Sequence, residues 1–227
     1  MRNRKFICEF RLEQQDHKCG KVRSNRVIAI IDYDAGNLKS VEKALMQIGQ
    51  KAIITRNREE ILGADRIILP GVGSFGVAMD KLYSYDLVDT IKQAVQTGKP
   101  FFGICLGMQL LFAGSEESEG VEGLGILEGE IVKIPKCGDL KIPHMGWNSI
   151  DITNNAKLFY GIPNNSYFYF VHSYYLRAKK EQDVAAKTNY CTLIHASVER
   201  DNVFGCQFHP EKSGKVGLQV LDNFANL

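Results

Sequence analysis

Cys105 lies in Gly103-Ile-Cys-Leu-Gly107, a spacing that suits a nucleophilic thiol. The apolar run Phe101 to Ile104 reads as a buried strand entered through Pro100, and Leu106 to Phe112 reads as the helix that follows. A side chain at Gly103 or Gly107 would crowd so sharp a bend. Strand, glycine, nucleophile, glycine, helix is the layout of a nucleophile elbow, with sulfur in place of the usual serine oxygen. The start of a helix also offers unbonded N–H groups that favour a thiolate over a thiol. A small buried core residue is the other reading of such a cysteine. The paired glycines and the strand-to-helix switch favour the nucleophile.

A nucleophilic thiol needs a base, and the base needs orienting. Of the histidines, His17, His144, His172, His195 and His209, the last ends an apolar strand in Gly205-Cys-Gln-Phe-His-Pro-Glu211. Alternation along an extended chain puts His209 and Glu211 on one side, and Pro210 stiffens the link. One ring nitrogen can then donate to Glu211 while the other faces Cys105, as in a Cys-His-acid triad. By itself the pair reads equally well as a capped surface histidine beside a solvated glutamate; with the elbow, the triad is the better reading. Attack on a carbonyl also needs donors for the developing oxyanion. The backbone N–H of Leu106 is one source, and the loop Pro70-Gly-Val-Gly-Ser-Phe-Gly76, through Val72 and Gly73, is another. A glycine-rich turn after a strand could instead hold phosphate, but this one lacks the Lys-Ser/Thr ending of a P-loop and the full dinucleotide fingerprint. Oxyanion loop and plain turn both stay open on the residues alone.

These groups need a scaffold. Val27 to Ile31 is a β-branched run typical of a strand covered on both faces. After the turn Asp32-Tyr-Asp-Ala-Gly-Asn37, a helix is predicted from Leu38 to Ile48, ended by Gly49. Strands over Lys51 to Thr55 and Arg66 to Leu69, a short helix over Glu59 to Leu62, and one or two helices between Val77 and Thr97 complete an alternating pattern. That pattern predicts right-handed βαβ units and four parallel strands, with the reactive residue at a carboxyl end. Beyond Ala113 the texture changes. Ser115 to Glu122 is acidic and reads as a mobile loop. Gly125 to Ile134, Tyr167 to Val171, Val184 to Thr188, Thr192 to Glu199 and Val203 to Gln207 read as short mixed or antiparallel strands, before a helix over Gly217 to Phe224. The fold class is α/β: a single domain over residues 26–227, with a central, mostly parallel sheet flanked by helices and extended by antiparallel strands. Residues 1–25, rich in Arg, Lys, Gln and Glu, read as an N-terminal extension that need not be ordered and has no assigned role.

Composition excludes several classes. With 44% hydrophobic and 24% charged residues, the 227-residue chain can bury a core of ordinary size. A net charge of +2 is too small to argue for nucleic acid or a membrane surface. No apolar run approaches the roughly 18 residues of a membrane span, and the N-terminus lacks the apolar region of a secretory signal. The cysteines at 8, 19, 105, 137, 191 and 206 show no knuckle spacing, and Cys8 and Cys19, with only His17 nearby, are too far apart to propose a metal site. A cytoplasmic protein with reduced thiols and no metal is the expectation.

Pro70-Gly-Val-Gly-Ser-Phe-Gly76, Gly103-Ile-Cys-Leu-Gly-Met-Gln109 and Phe208-His-Pro-Glu211, in that order, resemble the class I, triad-type glutamine amidotransferases. The resemblance runs from about Arg26 to the end. Asp32-Tyr-Asp-Ala-Gly-Asn37, Pro143-His-Met-Gly-Trp-Asn148 and Val171-His-Ser-Tyr-Tyr175 are similar to the branch of that family serving histidine biosynthesis. The resemblance implies that Cys105 attacks the side-chain amide carbon of L-glutamine to form a γ-glutamyl thioester. His209, held by Glu211, would protonate the departing ammonia and then activate water. It implies that Gln109, Gly73, His172, Ser173 and Tyr174 contact the glutamine, and that the Val72 peptide rotates to complete the oxyanion hole. It implies no cofactor.

Ammonia in water at pH 7 is almost all ammonium, so a synthetic use demands a shielded path to an acceptor. No second site in the sequence suits a phosphorylated acceptor. The resemblance supplies a partner, a (β/α)₈-barrel cyclase subunit forming a heterodimer, with Asn37, Trp147, Tyr174 and Lys212 on or near its face. Bland readings stand beside these: core groups for His172, Tyr174 and Trp147, and solvated polar residues for Gln109 and Lys212. Three rival functions also stand: the same glutaminase feeding another acceptor such as a nucleotide sugar, a catalytically silent scaffold, and a general cysteine hydrolase or redox thiol.

Overall fold

Short apolar runs take the middle of one sheet in the computed structural model, which describes residues 26–153 and 156–227. The chain first alternates: β1 (Val27–Ile31), α1 (Leu38–Gln47), β2 (Lys51–Thr55), α2 (Arg58–Gly63), β3 (Arg66–Leu69), α3 (Phe75–Ser84), α4 (Leu87–Gln96), β4 (Phe101–Ile104) and α5 (Leu106–Gln109). Its second half is β-rich: β5 (Gly129–Lys133), β6 (His144–Ser149), β7 (Asp151–Ile152), β8 (Tyr167–His172), β9 (Tyr174–Ala178), β10 (Val184–Tyr190), β11 (Thr192–Arg200) and β12 (Val203–Cys206). α6 (Gly214–Ala225) follows.

Among the described residues, the main sheet has the order β2-β1-β3-β4-β12-β11-β10-β7. β2, β1, β3, β4 and β12 are mutually parallel, and β11, β10 and β7 extend the sheet antiparallel. Two antiparallel ribbons, β5 with β9 and β6 with β8, stand apart from it. The parallel set therefore has five strands, where the sequence pattern predicts four. The fifth, β12, lies beside β4 with Cys206 level with Ile104. Both strands release the chain at the same carboxyl edge, where an α/β sheet builds its site.

Helices cover both faces, because the runs at the sheet centre are apolar on both sides. Val41 and Leu45 of α1 pack with Val220, Leu221 and Phe224 of α6 against one face. Met79, Leu82, Leu87 and Ile91 of α3 and α4 pack against the other.

Three further expectations need correction. The helix after the elbow stops at Gln109 instead of continuing to Phe112. Leu110, Leu111 and Phe112 are fully buried, and their carbonyls accept from Leu124, Ile126, Leu127 and Gly125, so tertiary bonding replaces the helical ladder. The acidic stretch expected as a mobile loop is bonded to the start of α3: Phe75 N–H donates to Glu117 at 2.8 Å and Gly76 N–H to Ser118 at 3.0 Å. The reduced-thiol expectation fails at two positions. Cys137 and Cys191, 54 residues apart in sequence, form a disulfide with a Cα–Cα distance of 5.4 Å. It ties the segment after β5 to the turn between β10 and β11. Cys105 and Cys206 are free and buried. Cys8, Cys19, His17 and the extension 1–25 lie outside the described residues. No helix among the described residues is long and apolar enough to cross a membrane, and no His, Cys, Asp and Glu cluster among them could hold a metal ion.

Candidate active site

The elbow is a steric construction. Cys105 sits at φ +55° and ψ −112°, a conformation that side chains rarely adopt and that the surroundings must enforce. Its N–H donates to the Cys206 carbonyl at 2.7 Å, extending the β4–β12 pairing into the bend. A Cβ at Gly107 would stand 1.8 Å from the Leu69 carbonyl oxygen, and one at Gly103 would stand 2.7 Å from that of Gly107. The turn can pass over the end of β3 only with glycine there. Gly107→Ala is therefore expected to cost about 3 kcal/mol or more, since only backbone can yield. A thermal melt within a few degrees of wild type would contradict this.

Just past the neighbouring strand β12, Phe208 plugs into the aromatic cluster, its ring 4.3 Å from that of Phe168. Burying such a ring stabilises the fold by about 1.5–3 kcal/mol and anchors the residue before His209. The His209 N–H donates to the Tyr169 carbonyl at 2.9 Å, and the His209 carbonyl accepts from the Ser213 hydroxyl at 2.7 Å. Nδ1 bonds Glu211 Oε1 at 2.8 Å, so the imidazole is fixed from both backbone and side chain. Glu211 Oε1 also accepts from Asn37 Nδ2. Asn37 arrives on the turn Asp32–Asn37, which Arg56 pins through Asp32 at 2.8 Å and Asp34 at 2.7 Å. The other imidazole nitrogen, Nε2, is buried without a regular hydrogen-bond partner.

Electrostatics sort the titratable groups into two kinds. Burial opposes the charged form of His209, but its interactions with Cys105 and Glu211 outweigh that and raise its pKa to about 10. Burial instead pushes His172 down to about 3 and His144 down to about 4, leaving both neutral. Burial also raises the Cys206 thiol, which donates to the Phe208 carbonyl at 3.3 Å. Because the folded pKa of His209 lies above the ordinary 6.5, its charge stabilises the fold fully below about pH 6.5, and that contribution is lost as pH rises through about 10. A reaction that needs the His209 proton should follow it. We expect kcat/KM for glutamine to fall tenfold per pH unit above about pH 10. A profile that already falls near pH 7 would contradict the assignment.

Cys105, Leu106 and His209 open into one cavity of about 290 Å³. The sequence-predicted Val72, Gly73, Gln109, His172, Ser173 and Tyr174 all line it. Gly73 adopts φ +105°, and Tyr33 pins the loop before it by donating to the Pro70 carbonyl at 2.8 Å. Gln109, for which a solvated reading stood open, is buried and donates to the Tyr174 carbonyl at 3.0 Å. Sequence reading missed Glu117, Pro143 and Val171 in the wall. Glu117 places a carboxylate there, suited to a ligand ammonium group. Its only sequence signal is a place in an acidic run twelve residues past Cys105.

Outside the cavity, Trp147 is 55% exposed on β6, edge-on to Tyr169, with the Lys212 ammonium 6.0 Å from the Tyr169 ring centre. Trp147 is therefore not a core residue, and these three side chains make one surface patch. Asn37 donates to Glu211.

The family model described as glutamine amidotransferase class-I matches residues 29–226. The imidazole glycerol phosphate synthase subunit HisH of Methanocaldococcus jannaschii is 52% identical over 201 residues, covering 88% of this chain and 100% of the relative. Subunit HisH 1 of the same enzyme from Campylobacter jejuni subsp. jejuni is 48% identical over 202 residues, covering 88% and 100%. Among solved structures, a glutamine amidotransferase superposes with a TM-score of 0.68 at 20% identity over 87% of this chain and 98% of the other. PurLQS from Thermotoga maritima gives 0.68 at 20% identity over 88% and 98%. These two likenesses speak for the fold.

Proposed function

The chain belongs to the class-I glutamine amidotransferases, and from that premise we propose that it hydrolyses L-glutamine to glutamate and ammonia and passes the ammonia to a cyclase subunit in histidine biosynthesis. The observation that carries the chemistry is that Cys105 and His209, the latter bonded to Glu211, line one cavity just past the adjacent carboxyl ends of β4 and β12. The glutamine side chain enters that cavity, with the Glu117 carboxylate as counter-charge to its α-ammonium group. Cys105 Sγ attacks the amide carbon, and the carbonyl oxygen becomes an oxyanion held by the N–H of Leu106 and the Val72–Gly73 loop. His209 gives its proton to the leaving nitrogen, the C–N bond breaks, and a γ-glutamyl thioester remains. Water then loses a proton to His209 and attacks the thioester, which releases glutamate and restores the thiolate–imidazolium pair. Glu211 keeps the imidazole in place and favours its charged form throughout.

The pathway follows the relatives, which bear the name imidazole glycerol phosphate synthase subunit at about half identity over nearly their full length. The partner is then a (β/α)₈-barrel cyclase. The exposed Trp147 and Lys212, with the half-buried Tyr169 ring that both approach, are the surface we assign to it, together with Tyr174 at the cavity wall and Asn37, which donates to Glu211. The Val72 peptide rotates to complete the oxyanion hole when the partner is ligand-bound, so the isolated chain is slow. The site of action is the cytoplasm. A histidine auxotroph lacking its own glutaminase subunit tests the pathway: the wild-type chain restores growth at low ammonium when co-expressed with its matched cyclase, and Cys105→Ala does not. No growth with either chain, alongside intact glutamine hydrolysis in extracts, would move the chain to a different acceptor.

A further inference from the structure

The protons around Cys105 can be placed without ambiguity, because one end of the network is a backbone carbonyl. The Tyr174 oxygen carries no proton, so Gln109 Nε2 at 3.0 Å and His172 Nδ1 at 2.9 Å must both donate to it. That fixes which end of the Gln109 amide is nitrogen. The same Nε2 lies 2.9 Å from Gln207 Oε1, which must therefore be the acceptor. The other end of the Gln207 amide is then its NH₂ group, and it lies 3.7 Å from Cys105 Sγ, a donor distance suited to the large radius of sulfur. Gln207 is wholly buried, and its own N–H is held by the Ala196 carbonyl at 2.8 Å. A flip would set its NH₂ group against the donating Gln109 Nε2.

We propose that Gln207 is a catalytic hydrogen-bond donor to the Cys105 sulfur, oriented by the Tyr174 carbonyl through Gln109, and that it stabilises the ionised nucleophile from a fully buried position. This rests on Cys105 being the nucleophile of the reaction described above. A buried anion needs donors as well as a counter-charge. His209 supplies the charge, and Gln207 supplies a neutral N–H that stays in place when the His209 proton moves to the leaving group. The contact also couples the glutamine-binding wall to the sulfur, since Gln109 touches both the cavity and Gln207.

Two variants of similar volume separate the donor role from a packing role. Gln207→Glu keeps an oxygen for Gln109 but puts a carboxylate where the donor was; Gln207→Met removes both bonds. The readout is the rate of Cys105 alkylation by iodoacetamide, followed by mass spectrometry as a function of pH, which needs neither glutamine nor a partner. At pH 7 we expect Gln207→Met to label about tenfold more slowly than wild type, with the deficit closing at high pH. Gln207→Glu should label more slowly still. A packing role predicts the reverse order, because glutamate satisfies Gln109 better than methionine does. Equal rates in all three chains, the reverse order, or loss of the folded state in both variants would overturn the proposal. A wild-type chain that is not labelled at Cys105 would instead overturn the nucleophile assignment beneath it.

Discussion

Glutamine hydrolysis in the presence of the cyclase and its ligand is expected to fall by about 10⁴–10⁶-fold in Cys105→Ala, a loss of the size seen when the nucleophile of a catalytic triad is removed. The oxyanion donors at Leu106 and the Val72–Gly73 loop survive that substitution, but they have no attacking atom to serve. The fold should survive too. Alanine at this position meets the same φ of +55° that cysteine already tolerates, and its smaller side chain leaves only a sulfur-sized gap beside the cavity. Circular dichroism melts of the two proteins should agree within a few degrees. Hydrolysis that persists in a folded Cys105→Ala chain would show that another group does the chemistry. Cys206, the other free cysteine among the described residues, is a poor substitute because it is fully buried and its thiol is raised by that burial.

Glu211→Gln should cost about 10³–10⁴-fold, approaching the loss found when a triad acid becomes its amide. Two effects compound. Glu211 Oε1 receives bonds from both His209 Nδ1 and Asn37 Nδ2, so the amide must keep its oxygen there. Its NH₂ then falls where Oε2 now lies, buried and without a partner. An unsatisfied buried donor costs about 1–3 kcal/mol. In addition, the negative charge that helps hold the His209 proton disappears, so the alkaline limb of kcat/KM should move below the value of about 10 set by the intact pair. A pH profile of this variant against wild type checks both statements at once. An unchanged limb with reduced activity would assign Glu211 a purely steric role.

The nucleophile was legible because its constraint is local. Gly103 and Gly107 are demanded by backbone atoms within a few residues or on the next strand, and such a demand leaves its mark in the sequence. The alternation of apolar runs with helical patterns likewise exposed β1 to β4. What brings Cys105 to His209 was less legible. A short β-rich segment gives no sign of whether it extends the sheet edge or inserts beside β4, and β12 does the latter. The neighbourhood of Gln207 and Gln109 depends on that insertion, so Gln207 read only as a strand residue. Glu117 was hidden by its acidic neighbours, which suggest solvent more readily than a cavity wall. The helix predicted to Phe112 failed because the segment 123–127 takes the carbonyls of Leu110, Leu111 and Phe112, a competitor that periodicity does not register. The Cys137–Cys191 bridge was invisible for a similar reason: only the placement of the β10–β11 turn brings the two sulfurs together.

Labelling with a glutamine-like electrophile, followed by peptide mass spectrometry, tests the central claim most directly. The account predicts that one adduct forms, that it resides on Cys105, that L-glutamine prevents it, and that His209→Asn slows it strongly. An adduct on Cys206, or labelling of Cys105 that is indifferent both to glutamine and to the loss of His209, would contradict it.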